Sequence, residues 1–315
     1  MLSRLTKNSI PIYLLCITGT AVFFSFSWNL SVYFFSAQKS SLCGCHTCLK
    51  EGNPWFRNLI SASPEPFLSR RNETSKEVFN WWKRLQSEHR SFTFYNTTVE
   101  NLFKIFPPIP DIIQPSPDFC RTCAVVGNSV NLKGSHYGPL IDVHDIVIRM
   151  NRGPTKGYES DVGTKTTHHV MYPESAVDLD NTTYLVLFPF KIQDLLWLLK
   201  KFGPGETGAV NSKRIANKDM VMILNPAFMK YVHEKWLGKK GKYPSTGFFT
   251  VVLSMHICDE ISIFGFGPDR NGNWDHYFEK VKNSMLRTGV HPGIHEHALI
   301  QYLHKIQKIE FYKGW

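Results

Sequence analysis

The chain has 315 residues, 43% hydrophobic and 14% aromatic, with a formal charge of +10. That much apolar material excludes a disordered or low-complexity chain and can form the core of one large domain or two small ones. The basic residues are scattered, with no cluster longer than pairs such as Lys239-Lys240. This excludes a nucleic-acid-binding arm and leaves either a pocket for an anionic small molecule or an ordinary lysine-bearing surface.

From Lys7 to Lys39 there is no charged residue in between, and Ile10 to Phe35 is apolar enough to cross a hydrocarbon core of roughly 30 Å. The segment is too long, and lacks the small-residue cleavage site, for a secretory signal peptide. Arg4 and Lys7 precede it, so the positive-inside rule keeps residues 1–9 in the cytosol. The expected layout is a cytosolic tail (1–9), a transmembrane signal-anchor (10–35), a short stem (36–42) and a single lumenal domain (43–315). Cys16 falls within the span. Cys43, Cys45, Cys48, Cys120, Cys123 and Cys258 remain, an even set that reads as three disulfides with about 15 pairings open. A zinc knuckle from Cys43, Cys45, His46 and Cys48 is the alternative for "CGCHTC", and a redox pair is the alternative for "CRTC". The sequons at Asn72, Asn96 and Asn181 are glycan acceptors if the domain is lumenal; the one at Asn29 lies in the span and stays bare.

Residues 61–75 read as a Pro/Ser-rich loop and 106–119 as an irregular, Pro-rich wrap. Val78, Phe79, Trp82 and Leu85 recur at helical spacing within 75–90. From Cys123 onward, Val/Ile/Phe-rich runs alternate with helical stretches. Strands are expected at 123–127, 145–150, 165–172, 183–188, 219–224, 260–266 and 308–312. Helices are expected at 225–238, begun by Asn225-Pro226 and stopped by Gly238, and at 245–258, apolar almost all round and therefore buried. The pattern predicts an α/β protein with a largely parallel sheet covered on both faces. Ligands bind beyond the carboxyl ends of such strands. That singles out "GNS" (127–129), "NRG" (151–153), "YPES" (172–175) and "GFGP" (265–268), with Asn128 and Asn151 as candidate contacts and Gly127, Gly265 and Gly267 permitting close backbone approach.

Two features mimic metal sites. His291 and His295 stand four apart, but Pro292 lies between them where a helix begins, and the pattern is not H-E-x-x-H. "DLD" (178–180) abuts the Asn181 sequon and is expected in an exposed loop. No catalytic metal is expected.

The stretch 123–169 resembles the large sialylmotif of animal sialyltransferases, and "YPSTGFFTVVLSMHICDEISIFGFG" (243–267) resembles the short one. "HYFE" (276–279) and "HPGIHE" (291–296) are similar to the third and very short motifs, and the order is kept. "CGCHTC", "WWKRLQ" and "HHVMYPES" are most similar to beta-galactoside alpha-2,3-sialyltransferases acting on Galβ1,3GalNAc. The resemblance implies a GT-A-like, Rossmann-like, mostly parallel seven-stranded sheet, a CMP-N-acetylneuraminate donor, a galactoside acceptor, a Golgi membrane location and no metal or other cofactor. It implies the pairings Cys43–Cys48, Cys45–Cys120 and Cys123–Cys258. It places Asn128, Ser129, Asn151, Ser245, Thr246, Gly247 and Gly267 at the nucleotide, Tyr243 at the donor phosphate and Gln86 at the acceptor. One departure stands out: 202–218 lacks the second phosphate-binding tyrosine of close relatives.

Sialyl transfer requires a base for the acceptor hydroxyl and a donor for the departing phosphate. Histidine, with an ordinary pKa of about 6.5, suits both tasks near neutral pH. His291 is expected to be the base, kept neutral by the N-terminal dipole of a helix running to about residue 306. His276 is expected to serve the leaving phosphate. Glu296 is expected either to orient the His291 ring or to fix the local loop. Without the motif match His291 reads as a helix cap and His276 as a loop residue packed among aromatics.

Overall fold

A computed structural model describes residues 43–46, 48–49, 51–106, 118–203, 215–280 and 288–314. The expected tail, signal-anchor and stem, most of the 106–119 wrap, and the greater part of the tyrosine-free loop lie outside the described residues. Among the described residues no helix is long and apolar enough to cross a membrane.

Seven strands form where the Val/Ile/Phe runs predict them: β1 Thr122–Val126, β2 Ile146–Met150, β3 His168–Met171, β4 Tyr184–Leu187, β5 Val221–Ile223, β6 Glu260–Phe264 and β7 Glu310–Tyr312. They build one sheet in the order β5-β4-β3-β2-β1-β6-β7, and all six pairings are parallel. The period-2 alternation of a strand puts successive side chains on opposite faces. On β1, Cys123 and Val125 join the larger core while Ala124 and Val126 join the smaller one on the other face. Both faces are therefore buried, which is why the strands read as continuous apolar runs.

The helices are α1 Pro54–Ser61, α2 Lys76–Trp82, α3 Phe92–Ile105, α4 Gly138–Asp142, α5 Glu159–Val162, α6 Ile192–Phe202, α7 Pro226–Tyr231, α8 Thr246–Ile257 and α9 Gly293–Lys305. The expected 75–90 helix ends at Trp82 and continues as turns. Trp82 is fully buried and donates its indole N–H to Pro189 O at 2.8 Å, so the turns after it, with Gln86, lie beside the end of β4. The expected 225–238 helix begins at Asn225 and Pro226 as read, but its second half, Val232–Trp236, is a wider π turn. α8 is buried nearly all round against the sheet.

The disulfides are Cys43–Cys48, Cys45–Cys120 and Cys123–Cys258. This excludes the zinc knuckle and the redox reading of "CRTC": each thiolate ligand is already spent in a disulfide, and Cys120 and Cys123 are paired elsewhere. Cys123–Cys258 ties the start of β1 to the end of α8.

His168 on β3 is 8% exposed, stacks on Tyr184 at 4.8 Å and bonds Thr167 Oγ1 through Nδ1 at 2.9 Å. Burial pushes its pKa down to about 4 from 6.5. The folded state thus binds fewer protons than the unfolded chain between these values, so this contribution to stability is whole above pH 6.5 and is lost as pH falls toward 4. The shift corresponds to about 3 kcal/mol. In urea unfolding from pH 7.5 to 4.5, His168→Phe should lose less stability than the wild type by about that amount. An identical pH slope in the two proteins would contradict the assignment.

Candidate active site

Strands β2 to β5 add on one side of β1, and the chain then crosses to the other side for β6 and β7. The strand order therefore reverses between β1 and β6, and above their carboxyl ends lies a cleft of about 530 Å³. The floor depends on close backbone packing. Gly127 N donates to Phe264 O at 2.8 Å and Ser129 N to Gly265 O at 3.0 Å, and a Cβ on Gly127 would sit 2.3 Å from Gly265 O.

The sequence-predicted residues converge here. Asn128, Ser129, Asn151, Ser245, Thr246, Gly247, Gly267, His276, His291 and Glu296 all line the cleft. Asn128 Nδ2 donates to Met150 O at 3.2 Å. Gly153 leaves room for that side chain, because a Cβ there would lie 2.3 Å from Asn128 Oδ1. Asn151 takes the left-handed conformation (φ 55°), which asparagine tolerates better than most residues. His169 Nε2 donates to its carbonyl at 2.6 Å, and Ser175 Oγ donates to its Oδ1 at 3.0 Å. The Asn151 amide is thereby oriented, with its NH2 left as the free donor.

The N-terminus of α8 opens into the cleft through Ser245, Thr246 and Gly247. Ser245 caps the helix by accepting from Phe248 N at 3.1 Å. Glu296 accepts from Ser245 N at 2.8 Å and Ser245 Oγ at 2.6 Å. Glu296 thereby pins the α8 cap to α9, a contact with a distant segment and not with its own loop. Burial raises its pKa, against the two Ser245 bonds.

His291 donates Nδ1–H to Tyr243 O at 3.0 Å, and its ring meets the Tyr243 ring edge-on at 5.0 Å. A carbonyl can only accept, so Nε2 carries the lone pair. Its pKa is lowered, first by burial and against the Tyr243 bond. Burial thus does what the helix dipole was expected to do. His276 bonds Glu279 Oε1 through Nδ1 at 2.9 Å and stacks on Phe278 at 5.2 Å, which leaves Nε2 for a ligand.

Two predicted residues stand off the cleft wall. Tyr243 packs between His291 and Phe190. Gln86 gives its Oε1 to Lys191 Nζ at 3.1 Å. Lys191 also reaches Glu174 Oε1 at 2.7 Å and Asp194 Oδ1 at 3.5 Å. Asp194 is 1% exposed, and burial raises its pKa to about 6 against two backbone donors and the Lys191 charge. Sequence reasoning missed this hub, and it missed Tyr172, Phe266, Trp274, Thr288 and His297 on the cleft wall. Tyr172 stood in the "YPES" strand end singled out from sequence, but its hydroxyl was not read as a ligand. Asp178 and Asp180 of "DLD" are exposed, and Asp180 accepts from Thr182 N and Oγ1 at 2.8 Å. The three glycan-acceptor candidates lie on the surface or partly buried, away from the cleft.

Sheets wound in this order characteristically hold nucleotides at the reversal point, and the cleft there is lined by His276, His291 and His297. The sequence profile described as glycosyltransferase family 29 (sialyltransferase) matches residues 67–308, and the chain belongs to that family. It is 43% identical over 285 residues to "CMP-N-acetylneuraminate-beta-galactosamide-alpha-2,3-sialyltransferase 1" of Gallus gallus, covering 86% of this chain and 82% of the relative. The Homo sapiens protein of the same name is 41% identical over 282 residues, covering 86% and 83%. A solved mammalian sialyltransferase superposes with TM-score 0.78 at 41% identity, covering 87% of this chain and 99% of the other. A structure of a mammalian sialyltransferase in complex with Gal-beta-1-3GalNAc-ortho-nitrophenol gives 0.76 at 40% identity, covering 87% and 100%.

Proposed function

We propose that the chain transfers sialic acid, with inversion and without a metal, from CMP-N-acetylneuraminate to the 3-hydroxyl of galactose in Galβ1,3GalNAc glycans. The observation that carries this is the reversal-point cleft, which gathers both strand-end asparagines, the α8 N-terminus, His276 and the His291 ring on one surface. Asn128 and Asn151 read the nucleotide. The phosphate sits at the α8 N-terminus, where backbone N–H groups and the helix dipole favour an anion. The Tyr172 phenol stands on the same wall. Burial, then the Glu174 charge, raises its pKa, so it stays a hydrogen-bond donor and serves in place of the tyrosine absent from 202–218.

His291 Nε2 takes the proton from the galactose 3-hydroxyl as its oxygen attacks the anomeric carbon of the sialic acid. The bond from that carbon to the phosphate oxygen breaks on the opposite face, and His276 Nε2 donates to the departing CMP. Fixed donors at the phosphate do what a divalent ion does in other enzymes. One base and one acid give a bell-shaped pH–rate profile.

Residues 10–35 are read as the signal-anchor of a single-pass, type II Golgi membrane protein with the catalytic domain lumenal. The deciding experiment is an acceptor panel with linkage analysis of the product, run with and without EDTA. Transfer to the galactose 3-hydroxyl of Galβ1,3GalNAc, unchanged by EDTA, is expected. Another linkage, or no transfer with intact donor, overturns the reading.

Lys191 supports the acceptor side. With Gln86 Oε1 held by Lys191, the amide NH2 is turned toward a sugar oxygen. Lys191→Met should raise the acceptor KM about tenfold, the value of roughly one charge-assisted hydrogen bond, and leave the donor KM unchanged. Lys191→Arg should keep most of the affinity. Equal changes in both KM values would make the role merely structural.

A further inference from the structure

We propose that the loop Gly238–Lys242, with Lys235 before it, is a basic lip that selects acceptor glycopeptides carrying Asp or Glu beside the glycosylated residue. The inference deepens the function proposed above and rests on it. Four lysines fall within eight residues, at 235, 239, 240 and 242, and all are exposed. None of them forms an ion pair with a described residue. The neighbouring carboxylate of Glu234 is bonded by Lys230 at 2.9 Å and feels the Lys239 charge only at longer range.

The position of the loop is what makes this more than a solvated charge run. On one side His233 Nε2 donates to Gly241 O at 3.2 Å, and the His233 ring lies 5.7 Å from Trp81, on the segment that leads to Gln86. On the other side Lys242 N donates to Val290 O at 2.9 Å. Gly241 also packs so closely on Pro292 that a Cβ would lie 2.5 Å from its Cδ. The loop therefore touches, through His233, the helix end that precedes Gln86 and, on the other side, the His291 segment; the function proposed above holds the galactose between Gln86 and His291. Lys240 Nζ stands 3.4 Å from His295 Nδ1, and the His295 pKa is lowered, first by burial and then by the Lys240 charge.

A galactose with its 3-hydroxyl at His291 leaves its carrier at this lip. Carboxylates on the carrier then lie within a screening length of several lysines, about 8 Å at physiological ionic strength. Complementary rim charges act mainly on encounter and weaken with salt.

The test uses the detergent-solubilised full chain and two glycopeptides with the same Galβ1,3GalNAc, one flanked by Asp/Glu and one by Asn/Gln. At low salt kcat/KM should favour the acidic peptide about tenfold, through KM, and the ratio should shrink toward one as NaCl rises. In Lys239→Gln/Lys240→Gln/Lys242→Gln the preference should vanish while the neutral peptide turns over as before. Equal kcat/KM for the two peptides in the wild type overturns the proposal, as does a preference that the triple variant retains. So does binding to phosphatidylserine vesicles through these lysines with no peptide preference. The wild-type salt series needs no variant, so a misfolded mutant leaves the proposal testable. Turnover of the neutral peptide tests the function separately.

Discussion

His291→Ala should lower kcat by about 10³-fold, within the 10²–10⁴ range typical of general base catalysis, and leave CMP affinity close to that of the wild type. The geometry assigns the effect to one atom. The Nδ1–H bond to Tyr243 O fixes the tautomer and leaves the lone pair on Nε2, on a ring that lines the cleft. Burial lowers the imidazole pKa, and a base works only when unprotonated. The acid limb of kcat/KM should therefore fall below the ordinary 6.5 of histidine, so that the base stays unprotonated at mildly acidic pH. The loss of one hydrogen bond to Tyr243 costs about 1 kcal/mol of stability, too little to unfold the domain. Single-turnover rates with acceptor in excess, alongside CMP titration, separate the two effects. A variant with kcat within tenfold of the wild type would show that another group takes the proton.

Much of this architecture was legible because the physics that makes it is local. A strand buried on both faces is mostly apolar, and the seven runs read as strands all became strands. Parallel strands gather their carboxyl ends along one edge of the sheet, so the place of Asn128 and Asn151 on the cleft wall could be read from the strand pattern. The rest depended on distant partners. Glu296 acts on Ser245, fifty-one residues away, and nothing near either residue says so. Lys191 draws on Gln86 and Glu174, from two segments that only the fold brings to it, besides Asp194 three residues on. Burial of the His291 ring was equally invisible, so the helix dipole was credited with an effect that desolvation produces. Disulfide partners were open from the residues themselves and came only with the family resemblance.

The floor of the cleft offers the sharpest test of the fold. Gly127→Ala should destabilise the domain by about 3 kcal/mol, at the upper end of overpacking costs, and lower Tm by about 6–12 °C for a domain of this size. Gly127 does not occupy the left-handed region that favours glycine, so its backbone would accept an alanine. What excludes the methyl is Gly265 O at 2.3 Å and the Phe266 ring at 2.9 Å. The first is backbone and cannot rotate away. The methyl must therefore part β1 from β6, breaking the Gly127 N to Phe264 O and Ser129 N to Gly265 O bonds on the floor of the proposed nucleotide site. CMP affinity should fall with stability, by about tenfold or more, since one misplaced strand end is worth at least a hydrogen bond. Gly134→Ala is the control: it has φ of 77° and nothing within 4 Å of the added carbon, so it feels conformational strain alone, about 1 kcal/mol. Calorimetry of both variants with CMP titration decides the matter. A Tm loss in Gly127→Ala no greater than in Gly134→Ala, with CMP binding intact, would mean that the two strand ends do not meet as closely as the cleft requires.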